Sequence, residues 1–255
     1  MVDIHSHVLP GLDDGARTID ETLEMLRLAA ASGTTDIVAT PHANAEYVYD
    51  AEKVEAAFRQ ASDVSEGIIR LHLGCDFHLN YENVLDVLRY PTKYTINRAR
   101  YLMVELPDLV ALSTVRTGLE HLLSARIVPV ITHPERNPSV QFNMREMQSW
   151  RKAGCFLQIT AQSLLGRFGE AAQNSAEKLL RSGLADFVAS DAHDSVDRPP
   201  DLSTAYRQVT SNHGSTLANR IFIDNPTAVL WGEPLHSERT NAPRGIRRLK
   251  SWLFT

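Results

Sequence analysis

Residues 3–15 read DIHSHVLPGLDDG: His5 and His7 stand two apart, and the adjacent carboxylates Asp13 and Asp14 precede a glycine. Imidazole nitrogens and carboxylate oxygens bind divalent transition ions. Residues i and i+2 of a strand point the same way, so His5 and His7 can grip one ion. The same spacing returns far along the chain as Asp191 and His193 in SDAH. Between these ends, ATPH carries His42, GCDFH carries Asp76 with His78 beside it, MVELP carries Glu105, and VITHPER carries His133. Nitrogen and carboxylate ligands without thiolate suit Mn²⁺, Fe²⁺ or Zn²⁺; counting one aspartate of the DDG pair and setting His78 aside, nine such groups are too many for one ion, so two or three ions are expected. Clusters of this kind hold a hydroxide at neutral pH and clamp phosphoryl oxygens during in-line displacement.

The elements that must position these residues alternate along the chain. Apolar runs predict seven strands, in MVDIHSH, TDIVATPH, IIRLHLGCDF, RYLMVELP, IVPVITHPER, CFLQIT and ADFVASDAH. Helical patterns separate them. In TIDETLEMLRLAAASG the apolar face is Ile19, Leu23, Leu26 and Ala30, with Thr18 as N-cap and Gly33 at the stop. The others are DAEKVEAAFRQASDVSE, ENVLDVLRY, VRTGLEHLLSAR, MREMQSWRKAG and SAEKLLRSG. Such alternation implies parallel strands with right-handed crossovers, hence an α/β barrel with helices outside; an open doubly wound sheet is the alternative. In a parallel barrel every strand's C-terminus lies on one face, so the ligand-type side chains would meet there. His72, His121, His213 and His236 lie away from those tips and are read as ordinary capped or solvent-facing histidines.

Two arginines follow ligand motifs: Arg136 in HPER and Arg198 in SDAHDSVDRPP. A guanidinium offers a planar fork for two phosphate oxygens and can stabilise developing charge. Cysteine-dependent phosphatase chemistry is excluded, because the sixth residues after Cys75 and Cys155 are Tyr81 and Ala161 rather than arginine. No GxSxG, Walker-type or GxGxxG motif occurs, and GRFG at 166–169 is too short to mark a nucleotide site. The 255 residues, 43% hydrophobic, suffice for a large core, and no linker divides them. A net charge of −5 argues against non-specific nucleic-acid binding. Two cysteines, no leader-like start and no long apolar run predict a cytoplasmic protein.

DIHSHVLPGLDDGA, ATPH, HPERN and SDAHDSVDRPP closely resemble the PHP (polymerase and histidinol phosphatase) superfamily. Within it the chain is similar to the bacterial metal-dependent protein-tyrosine phosphatases of the capsular and exopolysaccharide (CpsB/CapC) type, as are LQITAQSLLGRFG and NPTAVLWGEPL. The resemblance covers residues 1–235, expected as a single domain, with 236–255 as a basic tail. It implies a distorted TIM-like (β/α)7 barrel and a trinuclear site, usually with Mn²⁺. By position, His5, His7 and Asp191 would hold one ion, with Asp76 shared with a second that Glu105 and His133 complete. His42, His193 and Asp14 would hold the third; Asp14 is preferred to Asp13 because it directly precedes the glycine turn. The family usually has Glu in place of Asp76, whose shorter arm reaches one ion less well.

The implied reaction is phosphotyrosine hydrolysis by a metal-bridging hydroxide, with Arg136 and Arg198 on the phosphoryl oxygens. The implied partner is an autophosphorylating bacterial tyrosine kinase controlling polysaccharide synthesis. A phosphatase for a small phosphomonoester such as histidinol phosphate is the alternative enzyme, and a metal-bound phosphoprotein-binding module the non-enzyme alternative. In the tail, Arg244, Arg247, Arg248 and Lys250 alternate with Leu249, Trp252, Leu253 and Phe254, a pattern that suits weak contact with an anionic membrane surface.

Overall fold

The computed structural model describes residues 1–235. The expected tail, with His236 and the membrane-contact reading, lies outside the described residues. The chain runs β1 (Val2–Ser6), α1 (Ile19–Ala31), β2 (Asp36–Ala39), β3 (His42–Ala43), α2 (Ala51–Ser65), β4 (Arg70–Leu73), β5 (Asp76–His78), α3 (Tyr81–Arg89) and β6 (Tyr101–Glu105). It continues through α4 (Leu112–Ser124), β7 (Val128–Thr132), α5 (Met144–Ala153), β8 (Phe156–Thr160), α6 (Ala161–Leu164), α7 (Gly169–Arg181) and β9 (Phe187–Ala189). The helices α8 (Ser203–His213), α9 (Ser215–Asn219) and α10 (Asn225–Leu230) close it. Among the described residues, no helix is long and apolar enough to cross a membrane.

All strand pairs are parallel, and they form two sheets, β1-β2-β4 and β3-β5-β6-β7-β8-β9. The seven expected strands are therefore nine, because two of them break. Pro41, without an N–H, interrupts the second at β2/β3, and Gly74–Cys75 interrupts the third at β4/β5. Gly74 is packed so closely that a Cβ would meet Ile96, Val38 and Thr40 at 3.0–3.3 Å. Rungs bridge the breaks, from Gly74 N–H to Ala39 O at 2.8 Å and from Asp76 N–H to Pro41 O at 3.1 Å. These segments thus pass from one sheet to the other without losing their neighbour.

The first strand also meets the segment that follows β9. Ser6 bridges to Ala192, Asp191 N–H donates to His5 O at 2.9 Å, and His7 N–H donates to Ala192 O at 2.8 Å. Below this contact, Val2, Ile4, Val38, Tyr101, Met103, Val128, Val130, Phe187 and Ala189 pack in one cluster with Val229 and Leu230 of α10. The opposite strand faces, including Ile37, Leu102, Val104, Leu157 and Val188, join the larger core with the helices. Alternation of this kind is what strands covered on both faces require.

Helix α1 shows how side-chain chemistry overrides a simple apolar count. Thr18 caps it as expected, accepting from Glu21 N–H at 3.2 Å, and Gly33 ends it with φ +88°. The buried face, however, is Thr22, Met25, Leu26 and Ala29 rather than the expected Ile19, Leu23, Leu26 and Ala30. Thr22 goes inside because its hydroxyl donates to Val8 O at 2.8 Å.

Asp3 ties the first strand to the segment just after β9. Fully buried, it accepts from Ser190 N–H at 3.0 Å and from His5 N–H at 3.3 Å through one oxygen, Oδ1. Asp3→Ala strands both donors, and denaturant unfolding is expected to show a loss of about 2–3 kcal/mol. Asp3→Asn keeps an accepting oxygen and is expected to cost less than half as much.

Candidate metal centre

The β1 ladder shifts register between Asp3 and Ser6. Strict alternation would send Val2 and Ile4 to one side and His5 and His7 to the other. The irregularity re-aims the histidines, so apolar residues fill the cluster below and imidazoles face the rim above. His5 Nε2 and His7 Nε2 then lie 3.4 Å apart. Asp76 pairs with Met103, and His42 pairs with Asp76, so neighbouring strands bring these two side chains to the same side.

All nine expected ligand-type residues converge. Their ligand atoms fall into four overlapping groups, each within 4.8 Å: His7, Asp14, His42 and His193; His5, His7 and Asp76; His5, His133 and Asp191; His42, Asp76 and Glu105. The set expected around a third ion gains His7, and His133 lies with His5 and Asp191 as well as 3.8 Å from Glu105. His78 contacts Glu105 at 3.3 Å but joins none of the groups. His72 pairs with Asp36 at 3.0 Å and His213 with Glu177 at 3.1 Å, both outside the groups.

Asp76 Oδ2 sits 3.2 Å from His42 Nδ1 and 3.6 Å from His5 Nε2, so the short arm reaches imidazoles from two groups. Asp14 Oδ1 sits 3.4 Å from His42 Nε2 and 3.5 Å from His193 Nε2. Asp13 instead accepts from the His7 ring at 2.8 Å, from Gly15 N–H at 3.0 Å and from His42 N–H at 3.1 Å. Asp14 is thus the member of the cluster, and Asp13 the residue that orients His7.

The donor set fits divalent ions on two observations. Ligand atoms bound about 2.1 Å from a common ion lie roughly 3.0–3.4 Å apart, the range in which several of these pairs fall. His42 Nδ1 and Asp76 Oδ2 are moreover buried with no hydrogen-bond partner among the described residues. Supporting contacts aim the rings: His5 Nδ1 lies 3.0 Å from Gln158 Oε1 and His193 Nδ1 lies 3.0 Å from Asp191 O, which leaves each Nε2 facing the cluster. Sequence reasoning missed Gln158; its signal is one amide in the otherwise apolar middle of CFLQIT. It also missed Glu135, buried between Arg136 and the β8 end, where it accepts from Thr160 N–H at 2.9 Å and Ser163 Oγ at 2.7 Å.

Strain and close packing are found here. His133 (φ +32°) and Asp191 (φ +52°) both hold left-handed backbone conformations that side chains disfavour. A Cβ on Gly15 would fall 2.1 Å from His7 O, so only glycine lets the Asp13–Asp14 turn close against β1.

Both expected arginines reach the rim. Arg136 Nη1 and Arg198 Nη2 donate to the same oxygen, Asp191 Oδ2, the latter at 2.6 Å, and Arg198 also donates to Asp191 O at 3.0 Å. Asp191 Oδ1 faces the other way, 3.5 Å from His5 Nε2 and 3.6 Å from His7 Nε2. Burial works against the ionised Asp191 carboxyl, but His5, His7 and Arg198 hold it well below the usual carboxylate range. Burial also opposes charging of His7, yet Asp13 and Asp191 push its imidazole up to about 9. His42 is likewise pushed up to about 11 by Asp14, Asp76 and Glu105 against burial. His133 goes the other way, down to about 4, because burial and Arg136 outweigh its carboxylate neighbours.

A parallel α/β scaffold with histidines and carboxylates gathered at its strand ends defines the metal-dependent hydrolase class of site. The family model for capsular polysaccharide synthesis, CpsB/CapC, matches residues 1–231, and the chain belongs to this family. It is 34% identical to the putative tyrosine-protein phosphatase CapC of Staphylococcus aureus, over 78% of this chain and 79% of that one. Identity to the tyrosine-protein phosphatase YwqE of Bacillus subtilis is also 34%, across 100% of both. The fold superposes with a TM-score of 0.84 and 30% identity on a crystal structure from work on YwqE of B. subtilis and CpsB of Streptococcus pneumoniae, described as metal-dependent tyrosine phosphatases. That match covers 92% of this chain and 96% of the other.

Two outcomes test this geometry. Gly15→Ala is expected to lower the melting temperature and the amount of metal retained together, as read by thermal unfolding and elemental analysis. In the chelator-treated protein, His7 titrates above its unfolded value of 6.5, so the stabilisation it provides is complete below that pH. It is lost as pH rises towards about 9, and denaturant midpoints should fall across that window. A flat profile would contradict the Asp13–His7 contact.

Proposed function

We propose that this chain is a metal-dependent protein-tyrosine phosphatase, hydrolysing phosphotyrosine as a phosphomonoester. One observation carries the reading: Asp191 turns one oxygen to the imidazole cluster and the other to two guanidiniums, so ligand groups and anion-binding groups share one rim. His5, His7, Asp14, His42, Asp76, Glu105, His133, Asp191 and His193 would hold a trinuclear cluster, with Mn²⁺ as the resident metal and Fe²⁺ or Zn²⁺ as substitutes. Bound divalent ions supply a nucleophile from water at neutral pH and polarise phosphoryl oxygens.

The protein's own groups do the rest. Arg136 and Arg198 exchange Asp191 Oδ2 for phosphoryl oxygens, and the planar forks fix the group's orientation. His133 is neutral at physiological pH, so its lone pair is free for coordination, whereas His7 and His42 must first release protons. A phenol has a pKa near ~10, so the departing phenolate needs little help from a general acid. The relatives' names as tyrosine-protein phosphatases support this substrate, and the capsular family supports an autophosphorylating bacterial tyrosine kinase of capsule or exopolysaccharide synthesis as the physiological one. On this reading the enzyme is cytoplasmic, its catalytic domain spans residues 1–235, and its two sheets together make the distorted (β/α)7 barrel of the PHP superfamily.

Steady-state hydrolysis of p-nitrophenyl phosphate and of a tyrosine-phosphorylated peptide, with added Mn²⁺, tests the proposal. His5→Ala and Asp191→Ala are each expected to lower kcat/KM at least about a hundredfold in a folded protein. Exhaustive chelation should abolish turnover and Mn²⁺ restore it. Full activity after chelation, or a much higher kcat/KM on histidinol phosphate than on the peptide, would overturn the metal or the substrate respectively.

A further inference from the structure

The two rim arginines carry an electrostatic difficulty. Both donate to one carboxylate oxygen, Asp191 Oδ2, so two like charges share one half of one counter-ion. Arg198 Nε is also buried with no hydrogen-bond partner among the described residues. Without a further restraint, mutual repulsion would drive the guanidiniums apart and into water.

The restraint is an aromatic ring. The guanidinium carbon of Arg136 lies 4.1 Å from the centre of the Phe168 ring, and that of Arg198 lies 5.7 Å from it. A cation is attracted to the negative face of an aromatic quadrupole, and the attraction strengthens where water is partly excluded. Phe168 belongs to GRFG, a stretch with no use in the chemistry described so far.

The turn that carries the ring is tied to both arginine loops. Gly166 (φ +82°) and Gly169 (φ +86°) flank Phe168, and Gly169 N–H donates to Gly166 O at 3.1 Å. On one side, Ser163 Oγ donates to Glu135, the residue before Arg136, at 2.7 Å. On the other, Gln162 Nε2 donates to Asp197 O, the residue before Arg198, at 3.4 Å. The ring and its two cations are therefore positioned by one hydrogen-bonded unit.

We propose that Phe168 is a positioning residue for phosphate recognition. Its ring is the common platform that keeps Arg136 and Arg198 side by side as a two-pronged receptor for phosphoryl oxygens. The proposal rests on the phosphatase reading above and adds to it the group that acts on the arginines. When phosphoryl oxygens take the N–H groups that now meet Asp191 Oδ2, the ring remains as the contact that the ligand does not replace. An aliphatic side chain fills the same space but offers no quadrupole.

The test uses the metal-loaded full chain and inorganic phosphate as the probe, with binding read by calorimetry and by competitive inhibition of p-nitrophenyl phosphate hydrolysis. Phe168→Leu is expected to weaken phosphate binding about tenfold and raise KM in parallel, with metal content and melting temperature unchanged. Phe168→Tyr and Phe168→Trp, which keep an aromatic face, should bind phosphate within about twofold of the parent. In an Arg136→Ala background, Phe168→Leu should lose most of its effect, because the ring acts through the guanidinium. Wild-type affinity in Phe168→Leu, or an equal loss with and without Arg136, overturns the platform while leaving the phosphatase reading intact. Absence of phosphate binding in the metal-loaded wild type overturns both.

Discussion

The Asp191 carboxylate joins two charge systems that would otherwise have no common anchor. One oxygen completes a cage of imidazoles from β1 and the β9 end, and the other neutralises part of the charge on two arginines. Its backbone does a third job, since Asp191 N–H donates to His5 O and fastens the last strand to the first. The left-handed conformation at Asp191 costs about 1–3 kcal/mol and is held because the surrounding contacts over-determine it. Moving this residue by an ångström would disturb strand pairing, the imidazole cage and the two arginine contacts together.

A cluster this deeply buried is electrostatically expensive. His5, Asp76 and Asp191 are almost wholly removed from water, where an isolated charge would be strongly destabilised. Alternation of sign keeps the cage intact in the metal-free chain: imidazoles raised in pKa sit against carboxylates lowered in pKa, and protons occupy the space that cations would take. His42 Nδ1 and Asp76 Oδ2 face each other at 3.2 Å with no well-formed hydrogen bond among the described residues. The same argument accounts for the supporting residues. Asp13 and Gln158 each engage one ring nitrogen, fixing which nitrogen is left for the cage.

Much of this was legible in the residues themselves. The type of side chain at each strand tip, together with the rule that parallel strands end on one face, was enough to gather His5, His7, His42, Asp76, Glu105, His133, Asp191 and His193, whereas Asp14, in the loop after β1, came only from the family resemblance. The alternation of elements gave the parallel α/β class. What could not be read depended on contacts between distant segments. The β1 irregularity that turns His5 and His7 towards the rim arises from pairing with β2, and the pattern of apolar residues is silent about it. Pro41 was visible as a residue, yet the apolar run Ile37–Ala39 leading into it read as one strand up to His42 and disguised the change of sheet. Gln158 supports His5 across 153 positions of sequence, a relation that no local spacing encodes. Thr22 took an inside place on α1 because of a carbonyl from another segment.

The cage draws His5 from the first strand and Asp191 and His193 from just beyond β9, so its donors leave the ribosome at widely separated times. No nascent fragment lacking the final strand can present a finished pocket, however well its helices have formed. Assembly of the cage therefore waits on the pairing of β1 with the segment that follows β9 rather than on early collapse. A chain ending before Asp191 would lack the carboxylate that joins the imidazole cage to the two arginines.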